Sequence, residues 1–171
     1  MRGSPLSAFV IVASGALASA CGASFDGTTY HGEGVAFRVP AAPAAWQRIN
    51  ADGGSLAYRD DAASATILVN GRCNRGEDDV PLASLTQHLF LQFTERDLAS
   101  QEVVPFDGRE AMHTVMSAKL DGVAKRFDVW VLKKDGCVYD MIYLADPARF
   151  EAGVPEFRKF VGGFTTATHD G

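Results

Sequence analysis

Nucleophilic catalysis needs a nucleophile beside a positioned base, and this chain offers little of either. Cys73 and Cys137 are the thiol candidates, if either is free. Cys137 has Lys133, Lys134 and Asp135 close in sequence, but no base placed to make its thiolate. There is no Gly-x-Ser-x-Gly, no His-Glu-x-x-His and no phosphate-binding glycine loop. The histidines His31, His88, His113 and His169 are scattered, with no pair at ligand spacing on one helix or strand. The acidic run Glu77-Asp78-Asp79 lacks the alternating oxygens and the glycine of a calcium loop, and fits a solvated loop leading into a helix. The expectation is a protein that is not an enzyme and holds no metal or cofactor.

Two further groups of residues take their meaning from strand register. Asp107-Gly108, Asp121-Gly122 and Asp135-Gly136 recur every 14 residues between strand-like runs. Asp-Gly supplies the two positive-φ residues of a tight type I′ hairpin turn, so Leu98–Ala145 is expected to form a four-stranded antiparallel meander. A two-residue turn at Asp121-Gly122 pairs Leu120 with Val123, Met116 with Phe127, Thr114 with Val129 and Met112 with Val131. The flanking turns bring Val103 to Met112, Ile142 to Val129 and Leu144 to Phe127. By the period-2 rule these side chains share one core face.

The opposite face carries Ala111, His113, Trp130, Leu132, Tyr139, Met141 and Tyr143, mixed with Arg126, Asp128 and Lys134. The cluster His113, Trp130, Tyr139, Met141 and Tyr143 is either a partner-binding face or ordinary core under a C-terminal helix bearing Phe157 and Phe160; core is preferred. Asp140 falls opposite Val131 on the apolar face, and a buried carboxylate needs a partner. It is either at the sheet margin bonded to a loop amide, the preferred reading, or a polar anchor at the bottom of a pocket.

The elements that must position these residues follow in order. Thr29-Tyr30-His31 and Val35–Val39 are short strands around Gly32-Glu33-Gly34, with Pro40 ending the second. Trp46–Ile49, Ser55–Arg59 and Ala65–Val69 are strands, with a turn at Asp52-Gly53-Gly54. A polar loop, Asn70–Asp79, holds Cys73. A helix is predicted from about Pro81 to Thr94, with Leu82, Leu85, Leu89, Phe90 and Phe93 as an apolar stripe that covers the core face. After the meander, Asp146 and Pro147 start a helical piece, Gly153 interrupts it, and Pro155 restarts it through Val161.

A chain of 171 residues, 47% hydrophobic and 22% charged, is expected to form one domain. Its formal net charge of -5 argues against binding nucleic acid. Arg2 and the apolar run Leu6–Leu17 make a secretory signal, too short to span a bilayer well. Leu17-Ala18-Ser19-Ala20-Cys21 resembles the lipobox of bacterial lipoproteins, in which the Cys becomes the lipid-bearing first residue. Leu stands four residues before the Cys rather than the usual three. The alternative is an ordinary signal peptide cut after Ala20. Gly22 resembles the residue that follows the Cys in lipoproteins sorted to the outer membrane. With Cys21 acylated, Cys73 and Cys137 remain, and an oxidising compartment favours a disulfide between them over two buried thiols. The expected division is a signal peptide over 1–20, a polar tether over 21–28 with a reach of ~25 Å from Gly22 to Thr28, a single α+β domain over 29–164 and a frayed tail over 165–171.

The element order, with Phe37-Arg38-Val39-Pro40 followed by Trp46, resembles the PsbP-like fold. That family includes a photosystem subunit, a nuclear import factor and many bacterial envelope lipoproteins. The resemblance implies an antiparallel sheet with helices on both faces, and an accessory protein of a larger assembly. The leading expectation is therefore a lipid-anchored accessory protein of the bacterial envelope, facing the periplasm from the outer membrane and binding a protein partner. The alternative is a small-ligand module with an apolar pocket between sheet and helix.

Overall fold

The structure, a computed structural model, describes residues 23–32, 34–50, 56–73, 76 and 79–167. In chain order its elements are β1 (Ser24–Phe25), β2 (Thr29–Gly32), β3 (Val35–Arg38), β4 (Trp46–Ile49), β5 (Leu56–Asp60) and β6 (Ala65–Cys73). Then come α1 (Leu82–His88), β7 (Thr94–Phe106), β8 (Arg109–Leu120), β9 (Val123–Lys134), β10 (Cys137–Ala145), α2 (Phe150–Gly162) and β11 (Thr165–Thr166). The larger sheet runs β4-β5-β6-β10-β9-β8-β7 and the smaller β1-β2-β3-β11, and every pairing is antiparallel.

All three Asp-Gly turns form as their chemistry dictates, with φ of 45° and 72°, 50° and 80°, and 52° and 71°. The register they impose is the one read from the sequence: Leu120 opposes Val123, Met116 opposes Phe127, Met112 opposes Val131 and Val129 opposes Ile142.

One face of the large sheet packs against α1. Leu85 and Phe90 close over Met112, Met116, Phe127, Val129 and Val131. Phe90 meets Phe127 edge-on at 5.2 Å between ring centroids. The other face is covered jointly by α2 and the small sheet. Phe157 stacks on Tyr143 at 5.4 Å, Phe160 meets Trp46 at 5.2 Å, and Phe37 meets Tyr139 edge-on at 6.2 Å. The result is an α+β sandwich with helices on both faces, in which the small sheet shares the work of α2.

Several local expectations need correction. The predicted helix over Pro81–Thr94 is only α1, continued by turns through Phe93. From Thr94 onward the backbone joins β7, because β8 is long enough to pair with it to its end. Asp79 precedes α1, as expected, and the first turn itself holds no acidic residue; Glu77 and Asp78 lie outside the described residues. Val103 is 51% exposed rather than buried, since β7 is the edge strand and α1 does not reach it. Cys73 ends strand β6 instead of sitting in a loop.

α2 is one continuous helix. Gly153 does not break it, and Pro155 lies within it on an exposed position. Gly153 is a point of close approach: a Cβ there would lie 2.4 Å from the Tyr143 hydroxyl and 2.8 Å from the Ala63 methyl. The expected frayed tail is partly ordered, since Thr165 and Thr166 pair with Arg38 and Phe37 of β3. Part of the expected tether is folded too. The Asp26 carboxylate accepts from the Thr28 and Thr29 amides at 2.8 and 2.7 Å, turning β1 back onto β2. The turn expected at Asp52-Gly53-Gly54 lies outside the described residues, as do Cys21, the signal segment and His169.

Candidate functional site

The aromatic face of the meander resolves into two parts. Tyr139, Met141 and Tyr143, expected as a possible binding face, are core: Tyr139 is 2% exposed and the other two 0%. α2 roofs Tyr143, while Phe37 and Phe164 roof Tyr139. Burial pushes the phenols of Tyr139 and Tyr143 up to about 12. The alternation that put these residues opposite the α1 face also fitted an open surface. Only the docking of α2 and the small sheet decides between the two.

The other part, His113 and Trp130, stands at the margin of that roof. Their rings stack at 4.2 Å between centroids. Beneath them lies Asp128, 0% exposed in the middle of β9. Its Oδ1 accepts from the Trp130 indole N–H at 2.8 Å and lies 3.0 Å from His113 Nε2. Its Oδ2 accepts from Arg158 Nε at 2.8 Å and pairs with Arg158 Nη2 at 2.6 Å. A buried carboxylate is stable only with such partners, so this node ties α2 to β8 and β9. His113 Nδ1 faces Glu102 Oε1 at 3.6 Å. Both ring nitrogens thus face carboxylates, and neither points toward an incoming substrate.

Between this node and the end of β7 is an open groove of about 430 Å³. Val104, Phe106, Trp130, Val161 and Phe164 give it apolar walls, and Arg158 and Asp107 stand at its rim. Phe106 packs on Trp130 at 5.5 Å and on Phe164 at 6.0 Å. One side of the groove is latched. The Asp107 carboxylate accepts from the Thr166 amide and hydroxyl, both at 2.9 Å, and from Lys134 Nζ at 2.9 Å. Burial alone would raise the Asp107 carboxyl. The Thr166 amide and hydroxyl and the Lys134 ammonium outweigh it and hold the group below its usual value.

On the α1 face, Asp140 is 1% exposed and sits mid-strand between Val131 of β9 and Asn70 of β6. It is not at the margin of the sheet. β6 continues past Val69 to Cys73 and so brings the Arg72 guanidinium into an ion pair with Asp140. Small, mainly apolar cavities lie at the α1–sheet interface, such as one of about 130 Å³ beside Leu98 and Met116 and one of about 180 Å³ beside Phe93 and Ile142. Both fall below the ~300 Å³ at which ligand-sized sites begin.

Cys73 and Cys137, directly opposed in β6 and β10, form a disulfide. A disulfide-bonded sulfur is no nucleophile. His31 of β2 and His88 of α1 are exposed. Among the described residues no group of three or more His, Cys, Asp or Glu side chains could hold a metal ion. No helix among them is long and apolar enough to cross a membrane.

Sequence reading missed Arg158 and Phe106 as parts of the site. Asp128, alternating with Arg126 and Trp130 along one strand face, was the available signal: a carboxylate on a buried face demands a cation from whatever covers it.

No family model and no curated protein matches the chain. Solved structures do resemble it. The solution structure of cyanobacterial PsbP (CyanoP) from Synechocystis sp. PCC 6803 aligns with a TM-score of 0.62 at 12% identity, covering 90% of this chain and 98% of that one. LpqN of Mycobacterium tuberculosis, described as involved in cell envelope biogenesis, aligns with a TM-score of 0.58 at 14% identity, covering 81% and 88%. PA94 of Pseudomonas aeruginosa, a protein of unknown function described as a putative regulator, aligns with a TM-score of 0.55 at 12% identity, covering 83% and 98%. At these identities the likeness establishes the fold, which is PsbP-like.

Proposed function

We propose that this chain is a non-enzymatic accessory protein of the bacterial envelope, anchored through an acylated Cys21, that binds a protein partner in the groove beside Trp130. One observation carries the reading. The groove is the place where the aromatic face emerges from under its roof, and the polar groups around it are engaged with one another. Asp128 is held by His113, Trp130 and Arg158, and Asp107 by Lys134 and Thr166. Such a surface offers apolar contact area and no group poised to act on a substrate, which suits recognition of a protein segment. The fold shared with LpqN, an envelope-biogenesis protein, supports the compartment. The lipobox-like segment supports the anchor, and the resemblance of Gly22 to the residue after the Cys in outer-membrane lipoproteins supports placement there, facing the periplasm. The cavities under α1 are below ligand size, and the larger groove is an open surface whose Asp107 and Arg158 are already engaged within the protein, which favours a protein segment over the small-ligand alternative.

Affinity purification of the full-length chain from native membranes tests this, with Val104→Arg as the comparison. Val104 is a half-buried wall of the groove on an edge strand, so a cation there blocks apolar docking without opening the core. The expected result is a stoichiometric partner that is lost in the variant while thermal stability is unchanged. Equal recovery of the same partner by both proteins would remove the groove from the reading, and no partner at all would remove the reading itself.

A further inference from the structure

The N-terminal segment joins the folded domain at β1. Ser24 pairs with His31 and Phe25 with Tyr30, which ties β1 to the small sheet. Phe25 is held from the other side by the Arg48 guanidinium of β4, 4.7 Å above its ring centroid. The Asp26 turn closes the β1–β2 hairpin. β1 is the outer strand of the small sheet and β4 the outer strand of the large one, on the same side of the molecule. From Cys21 to Ser24 there are only three Cα–Cα steps, so the attachment point of a lipid on Cys21 could be no more than ~11 Å from Ser24, less than half the reach of the full tether.

We infer that the edge formed by β1 and β4 rests against the lipid bilayer, with the β7 edge turned away from it. The inference rests on acylation of Cys21, as set out above. The edge has the chemistry for such a contact: Gln47, Arg48 and Ile49 of β4 are all exposed, offering a cation and an apolar side chain to the headgroup region. Six inter-strand spacings separate β4 from β7, about 29 Å in a flat sheet. The groove beside Val104 and Phe106, at the far edge, therefore opens toward the aqueous compartment and is accessible to a partner that is not embedded beside the anchor.

The test uses the full-length, acylated protein in vesicles of phosphatidylethanolamine and phosphatidylglycerol that contain a headgroup-spin-labelled lipid. A fluorophore is placed on Gln47→Cys or on Glu102→Cys, with the Cys73–Cys137 disulfide left oxidised. Both positions are exposed on edge strands, and unchanged melting confirms the folds. Quenching several-fold stronger at position 47 than at 102 is the expected result. Inserting a ten-residue Gly-Ser spacer after Cys21 should abolish that contrast. Equal or stronger quenching at 102 on a protein that mass spectrometry shows to be acylated overturns the orientation alone. A mature protein without an acyl group overturns the anchor, and the orientation with it.

Discussion

Asp128 lies at 0% exposure with four nitrogen atoms around its carboxylate, from His113, Trp130 and Arg158. Removing one partner of a buried charge costs more than the pair contributes, because the orphaned charge stays desolvated. Arg158→Met should therefore destabilise by about 2 kcal/mol, less than for a fully buried pair because the Arg158 side chain is 46% exposed. Asp128→Leu combined with Arg158→Met should recover part of that loss, since no charge remains to be paired. Urea unfolding of both single variants and the double variant checks the coupling. Part of this was legible in advance: the strand alternation put Asp128 on the aromatic face. Its partner was not, because Arg158 lies thirty residues on, in a helix whose docking direction no local pattern specifies.

Strands and helices differed in how far their residues announced them. The meander was readable because a two-residue turn fixes register, and register fixes every side-chain direction after it. Helix limits were not, because a long partner strand can claim residues that would otherwise extend a helix, as β8 claims Thr94 for β7. Gly153 shows the same override. Helix propensity alone predicts that Gly153→Ala in α2 stabilises by ~1 kcal/mol. The new Cβ would meet the Tyr143 hydroxyl at 2.4 Å, so the expected outcome has the opposite sign, a loss of about 2 kcal/mol. The same change in a Tyr143→Phe background should cost less, and thermal melts distinguish the two.

β11 carries a pH dependence through Asp107. Its carboxyl is held below the ordinary aspartate value of 3.8, so its contribution is present above that value and fades as acid protonates the folded form. Amide exchange at Thr166 should accelerate below about pH 4, beyond the intrinsic trend, and Asp107→Asn should show the fast rate already at neutral pH.

The molecule as a whole is a sandwich tied across its middle. The Cys73–Cys137 bond links β6 to β10 at the rung that joins the N-terminal strands to the meander, closing a sequence separation of 64. In the chain-entropy model, reduction should lower stability by about 4 kcal/mol, read as a shift of the urea midpoint with and without reductant. The two cavities beside α1 described above fall below ligand size, whereas the α2 side keeps a groove where its roof ends. Partner binding at that groove is tested most directly by photo-crosslinking in native membranes. A photoreactive amino acid is placed either at Val104, in the groove, or at the exposed Gln87 on α1. One discrete crosslinked species from position 104 and none from position 87 is the predicted result. A species from position 87 with none from position 104 would contradict it.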